Sequence, residues 1–130
     1  MPGDTLTKVF TVEQSDAILI IDDEPSVADA LRLILEDSGH RVLVAATGGG
    51  GLALARDGGV RLVVTDLYLP DLSGLEVLST LRAEYPHVPA VLITSRGTPE
   101  IFAEARRAGA AAILPKPFAP AELLCLIESL

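Results

Sequence analysis

Five positions carry side chains able to do chemistry together: the adjacent pair Asp22–Asp23, Asp66, Thr94 with Ser95 beside it, and Lys116. Each follows an apolar run: "ILII" runs into Asp22–Asp23, "LVV" and Thr65 into Asp66, "AVLI" into Thr94, and "AAIL" into "PKPF" around Lys116. Two neighbouring carboxylates at the end of a buried strand repel each other, and each loses free energy when water is withdrawn. A cation is needed nearby. Three carboxylates and one ammonium leave about −2 locally at neutral pH, which a divalent ion would offset. The donors are all oxygens, with no thiolate or imidazole among them, and this favours Mg²⁺ over zinc. Mg²⁺ usually shares its shell between one or two carboxylates, waters and a phosphate. A metal-bound phosphoryl group would also explain the Thr94 hydroxyl as a donor and the Lys116 ammonium as a charge partner. Asp66 would then be metal ligand and nucleophile at once.

The elements that must position these residues are legible as apolar runs. Ile18–Ile21, Val42–Ala46, Leu62–Thr65, Ala90–Thr94 and Ala111–Leu114 are short and continuous rather than alternating. Such runs predict strands covered on both faces. Between them, Val27, Ala30, Leu31, Ile34 and Leu35 follow helical spacing, with Gly39 placed as a C-terminal cap. Leu52–Arg56 is a short helical candidate preceded by Gly48–Gly51, a turn expected to be mobile or unwound because glycine is a poor helix former. Leu75, Leu78 and Leu81 mark a third helix over Leu75–Glu84. Thr98 as N-cap, Pro99 at the first position and Gly109 at the end bracket a fourth. Leu123, Leu124, Ile127 and Leu130 share one face of a fifth, over Pro120–Leu130. Five strands alternating with five helices predict an α/β domain: a parallel sheet with helices on both faces. In such sheets ligands bind beyond the carboxyl ends of the strands, the one edge to which all five chemical positions belong.

Composition excludes other classes. The chain has 130 residues and is 49% hydrophobic, enough for one core and too little for two domains. The net charge of −8 and the 4% aromatic content argue against a nucleic-acid surface. No apolar stretch approaches the ~20 residues of a membrane span, and no signal-peptide pattern is visible, so a cytoplasmic protein that does not enter membranes is expected. Cys125 lacks a partner for an internal disulfide and is expected to pack within its apolar helix, and His40 and His87 are expected to be solvated loop residues. Residues 1–16 read as an N-terminal tail, with Val9, Phe10 and Val12 the only hint of an ordered arm.

The segments "ILIIDDE", "LVVTDLYLPDLSG", "AVLITS" and "LPKPF", in that order and spacing, resemble the receiver domain of bacterial two-component response regulators over residues 17–130. The resemblance implies a flavodoxin-like (βα)5 three-layer sandwich with strand order 2-1-3-4-5. It implies that Asp66 is phosphorylated, with the phosphoryl group coming from a sensor histidine kinase or phosphotransfer protein. Asp23 would ligate Mg²⁺ directly and Asp22 mainly through water, with the Tyr68 backbone carbonyl and Asp66 completing the protein ligands. Lys116 would bind the phosphoryl group, Thr94 would carry the switch, and the peptide Lys116–Pro117 would be cis. Helix 4, strand 5 and helix 5 would form the responding surface, a homodimer being one use of it. The domain would be a phosphoacceptor rather than an enzyme, apart from self-catalysed phosphorylation and dephosphorylation.

The sequence departs from the family where many receivers carry an aromatic residue three before the lysine, since Ile113 stands there. Tyr68 and Arg96 occupy positions that, in the family, tune the lifetime of the phosphoryl group. Haloacid-dehalogenase-type phosphatases share the residue types but need an Asp where Tyr68 stands, and their acid pair follows the nucleophile. A receiver fold kept only as an unphosphorylated interaction module is the other alternative, against which the full residue set argues. A stand-alone receiver and a part of a longer regulator or hybrid kinase both remain open.

Overall fold

The continuous apolar runs become the centre of a five-stranded parallel sheet. The computed structural model describes residues 16–130. The strands are β1 (Ala17–Ile21), β2 (Val42–Ala45), β3 (Val60–Asp66), β4 (Ala90–Thr94) and β5 (Ala112–Pro115). The helices are α1 (Pro25–Asp37), α2 (Gly48–Arg56), α3 (Gly74–Glu84), α4 (Pro99–Ala108) and α5 (Pro120–Glu128). Strand order is β2-β1-β3-β4-β5, as the family resemblance implies. The reading of residues 1–16 as a tail falls, Asp16 apart, outside the described residues.

Every residue of β1 is fully buried because the strand has a core on each side. Leu19 and Ile21 join one apolar cluster with Leu52, Val77, Leu78 and Leu81, from α2 and α3. Ile18 and Ile20 join the opposite cluster with Leu31, Leu35, Leu123 and Ile127, from α1 and α5. A strand buried on both faces must be apolar at every position, hence the runs without alternation.

Local capping explains most helix ends. Thr98 Oγ1 accepts the Ile101 N–H at 3.1 Å at the start of α4, Pro99 follows, and Gly109 closes the helix at φ 106°. Gly39 follows α1 at φ 91°, as its placement predicts.

Four expectations are corrected. Gly48–Gly51 are not unwound but form the first turn of α2. Four glycines cost ~1 kcal/mol each relative to alanine in a helix interior, and the turn is held by Thr47, whose Oγ1 accepts the Gly50 N–H at 2.9 Å, and by a remote carboxylate described below. Cys125 is exposed rather than packed, because Leu123 and Ile127 take the inward face of α5. Leu130 lies beyond α5 and is 44% exposed, so it leaves that apolar face. His40 is half-buried, and its Nδ1 meets Arg61 Nη2 at 2.6 Å.

Candidate functional site

The chain winds from β1 outward to β2 and then returns to β3 on the other side of β1, so helices leave the sheet in opposite directions between β1 and β3. That reversal opens a crevice at the carboxyl ends of these two strands. Register then sets the side chains level. Ile21 pairs with Thr65, so the next residues, Asp22 and Asp66, stand side by side. Asp66 pairs with Ile93, and Thr94 pairs with Pro115, so Thr94 and Lys116 follow on the same edge.

One carboxylate oxygen from each of Asp22, Asp23 and Asp66 lies within 4.8 Å of the others. Asp22 and Asp66 are buried, whereas Asp23 is exposed at the mouth. Lys116 reaches between the buried pair, its Nζ 3.3 Å from Asp22 Oδ2 and 3.1 Å from Asp66 Oδ2. Burial works against the ammonium charge, but the charge of Asp22 and the hydrogen bond and charge of Asp66 together outweigh it, holding the Lys116 pKa above its ordinary value. One ammonium shared by two carboxylates leaves the cluster net negative, and with an all-oxygen donor set the residues fit a hard divalent cation.

The remaining hydrogen bonds differ among the three acids. Asp22 Oδ1 accepts the Glu24 N–H at 3.0 Å, so both Asp22 oxygens are engaged. Among the described residues, Asp66 Oδ1 has only a long contact, 3.5 Å, from the Tyr68 N–H. Thr94 is 1% exposed, and its Oγ1 accepts the Arg96 N–H at 3.0 Å. Among the described residues it bonds that amide and not the Asp66 carboxylate. The Lys116 N–H donates to the Thr94 carbonyl at 2.8 Å, and the peptide Lys116–Pro117 is cis. Gly74 lets α3 start against the acidic strand end, since a Cβ there would stand 2.3 Å from the Asp66 carbonyl oxygen.

Asp23, Asp66 and Lys116 face a cleft of about 500 Å³ that Glu24, Tyr68, Ser95 and Arg96 also line. Tyr68 is half-exposed, and the Arg96 guanidinium carbon lies 5.4 Å from its ring centroid, within cation–π range. Ile113 packs against the cluster on the α2 and α3 side. Sequence reasoning singled out Tyr68 and Arg96 separately but missed that they touch. It also missed Asp71, whose carboxylate accepts N–H groups from Gly48 and Gly49 and whose pKa the Gly49 and then the Gly48 hydrogen bond hold below the ordinary carboxylate value. The only available signal was an acid in a turn, which is too common to single out. No described helix is long and apolar enough to cross a membrane.

Comparisons with known proteins agree with this geometry. The family model described as the response regulator receiver domain matches residues 18–128. The transcriptional regulatory protein YkoG of Bacillus subtilis is 40% identical over 112 residues, which are 86% of this chain and 49% of that protein. The chain thus spans about half the length of the first curated relatives it matches. Among solved structures, a CheY-like receiver domain protein from Methanospirillum hungatei superposes with a TM-score of 0.85 at 34% identity, covering 88% of this chain and 92% of that one. The chemotaxis protein CheY4 of Vibrio cholerae superposes with a TM-score of 0.84 at 29% identity, covering 88% and 98%.

Proposed function

Since the chain belongs to the response regulator receiver domain family, a family of signalling domains, we propose that Asp66 accepts a phosphoryl group from a sensor histidine kinase or phosphotransfer protein. The observation that carries this reading is Lys116 bridging Asp22 and Asp66 at the crevice between β1 and β3, with Asp23 in the same cluster.

Of the two Asp66 oxygens, Oδ2 is engaged by Lys116, while Oδ1, which among the described residues has only its long amide contact, serves as the nucleophile. Attack by Oδ1 on phosphorus forms the O–P bond as the N–P bond of the phosphohistidine breaks, and that bond's electron pair leaves with the imidazole nitrogen. The Lys116 ammonium, already at the site, pairs with a phosphoryl oxygen. Asp23 and Asp66 would hold Mg²⁺ with the Tyr68 carbonyl. Asp22, both of whose oxygens are already engaged, suits a water-mediated role. When bound, Mg²⁺ supplies positive charge against the transferring phosphoryl group.

The same arrangement supports a switch. The Thr94 oxygen accepts the Arg96 amide, which leaves its hydroxyl proton free to donate to a phosphoryl oxygen. That bond draws β4 and the segment Ser95–Thr98 toward Asp66 and shifts α4, β5 and α5, the surface proposed to meet a partner or a second copy. Ile113 responds by a small packing shift, having no ring to rotate. The Tyr68–Arg96 pair screens the acyl phosphate from water.

The test is incubation with acetyl phosphate and Mg²⁺, followed by peptide mapping and a decay time course. One phosphoryl group is expected on Asp66, none on Asp66→Asn, and faster decay in Arg96→Ala than in the parent. A phosphoryl group mapped to Thr94 or Ser95, or none in the parent, would overturn the reading.

A further inference from the structure

The least helical stretch of the sequence, Gly48–Gly51, starts a helix, and what holds it comes from the loop that follows Asp66. Asp71 Oδ1 accepts the Gly48 N–H at 2.8 Å and Oδ2 accepts the Gly49 N–H at 2.9 Å. Oδ1 also accepts the Leu72 N–H at 2.8 Å, which orients the carboxylate within its own loop. The loop is tied at its base, where Tyr68 and Ser73 form an antiparallel bridge and the Gly74 N–H donates to the Leu67 carbonyl at 2.7 Å. Asp71 sits between those ties and joins the loop to α2.

The first turn of α2 has a second neighbour. A Cβ on Gly51 would stand 2.3 Å from Ile21 Cδ1, so the glycine lets the helix rest on the residue immediately before Asp22. A Cβ on Gly48 would stand 3.0 Å from Leu72 Cβ, in the Asp66 loop. One glycine turn therefore touches the end of β1 and the loop after β3, the two segments that carry the acids. Glycine is required for that closeness, and its poor helix propensity makes the turn dependent on outside hydrogen bonds.

We propose that Asp71 is a positioning residue for the metal site, setting the spacing between the loop that carries the Tyr68 carbonyl and the strand end that carries Asp22 and Asp23. The inference rests on the Mg²⁺ reading of that site. Asp71 does not touch the acids; it acts through the first turn of α2, as groups behind a ligand commonly do at metal sites.

The experiment compares the Mg²⁺ dependence of acetyl phosphate labelling in the parent, Asp71→Ala, Asp71→Asn and the double variant Asp71→Ala/Gly49→Ala. The alanine at 49 restores helix propensity to the turn without restoring the carboxylate. Its Cβ would meet only Asp71 Oδ2, at 3.1 Å, a contact the first substitution removes. In Asp71→Ala the Mg²⁺ concentration giving half-maximal labelling should rise about tenfold, with the rate at saturating Mg²⁺ close to the parent's. Asp71→Asn, which turns one acceptor into a donor facing an N–H, should behave alike. The double variant should regain melting temperature but not Mg²⁺ affinity. If it regains both, or if Asp71→Ala leaves half-saturation unchanged in a Mg²⁺-responsive parent, Asp71 only stabilises α2 and the inference fails alone. A parent whose labelling ignores Mg²⁺ would overturn the metal reading and the inference with it.

Discussion

The two ends of the sheet solve opposite problems. At the amino ends of the strands the chain turns through exposed polar residues and glycines at positive φ, such as Gly58 and Gly59 before β3. Polar groups there meet water or one another, as the Arg61 guanidinium meets the His40 ring. At the carboxyl ends Asp22, Asp66 and Thr94 are buried, and a single ammonium is shared between the two acids. Local rules are obeyed at one end and broken at the other. Buried like charges are unfavourable, so their concentration at one edge supports the proposal that this end serves chemistry rather than stability.

Lys116→Ala tests this contrast most severely. Removing the shared ammonium should slow acetyl phosphate labelling about a hundredfold, the scale typical of losing one preorganised electrostatic group. The chain should still fold, because β5 and α5 carry their own apolar contacts. An unchanged labelling rate would mean the ammonium is a structural counter-ion only.

Asp23→Asn comes next. Mg²⁺ should raise the parent's melting temperature by mass action, and this shift should largely vanish in the variant. In metal-free buffer the variant should melt at or slightly above the parent, since one of three crowded carboxylates is gone. An undiminished Mg²⁺ shift would remove Asp23 from the ligand set.

A subtler effect is expected at Thr94. With beryllofluoride as phosphoryl mimic, hydrogen exchange should change across residues 95–108 in the parent, and Thr94→Ala should lose that change. Equal changes in both proteins would show that the signal leaves the site by another route.

The smallest effect belongs to the opposite end. Arg61→Ala should leave labelling unchanged and alter stability by no more than about 0.5 kcal/mol, as exposed substitutions usually do. A clear loss of labelling there would break the contrast between the two ends.

What the sequence by itself determined is what contiguous residues encode. Runs such as Ile18–Ile21 must be strands with a core on each face, because no polar position is left for a solvent face. Thr98, Pro99 and Gly109 bracket α4 by backbone chemistry that needs no partner from elsewhere. The edge that gathers the acids, Thr94 and Lys116 was legible too, because each ends or follows an apolar run. The extent of α2 was not. Its glycines argue against a helix, and the carboxylate that holds them is more than twenty residues away in a loop that looks ordinary. The exposure of Cys125 and the stacking of Arg96 over Tyr68 were hidden for the same reason: each depends on which neighbours arrive. Only the tertiary structure decided that Asp22 stands beside Asp66 with Lys116 between them, because the parallel register of β1 on β3 and of β4 on β5 is a relation between segments, and contacts across such distances are set when the sheet assembles.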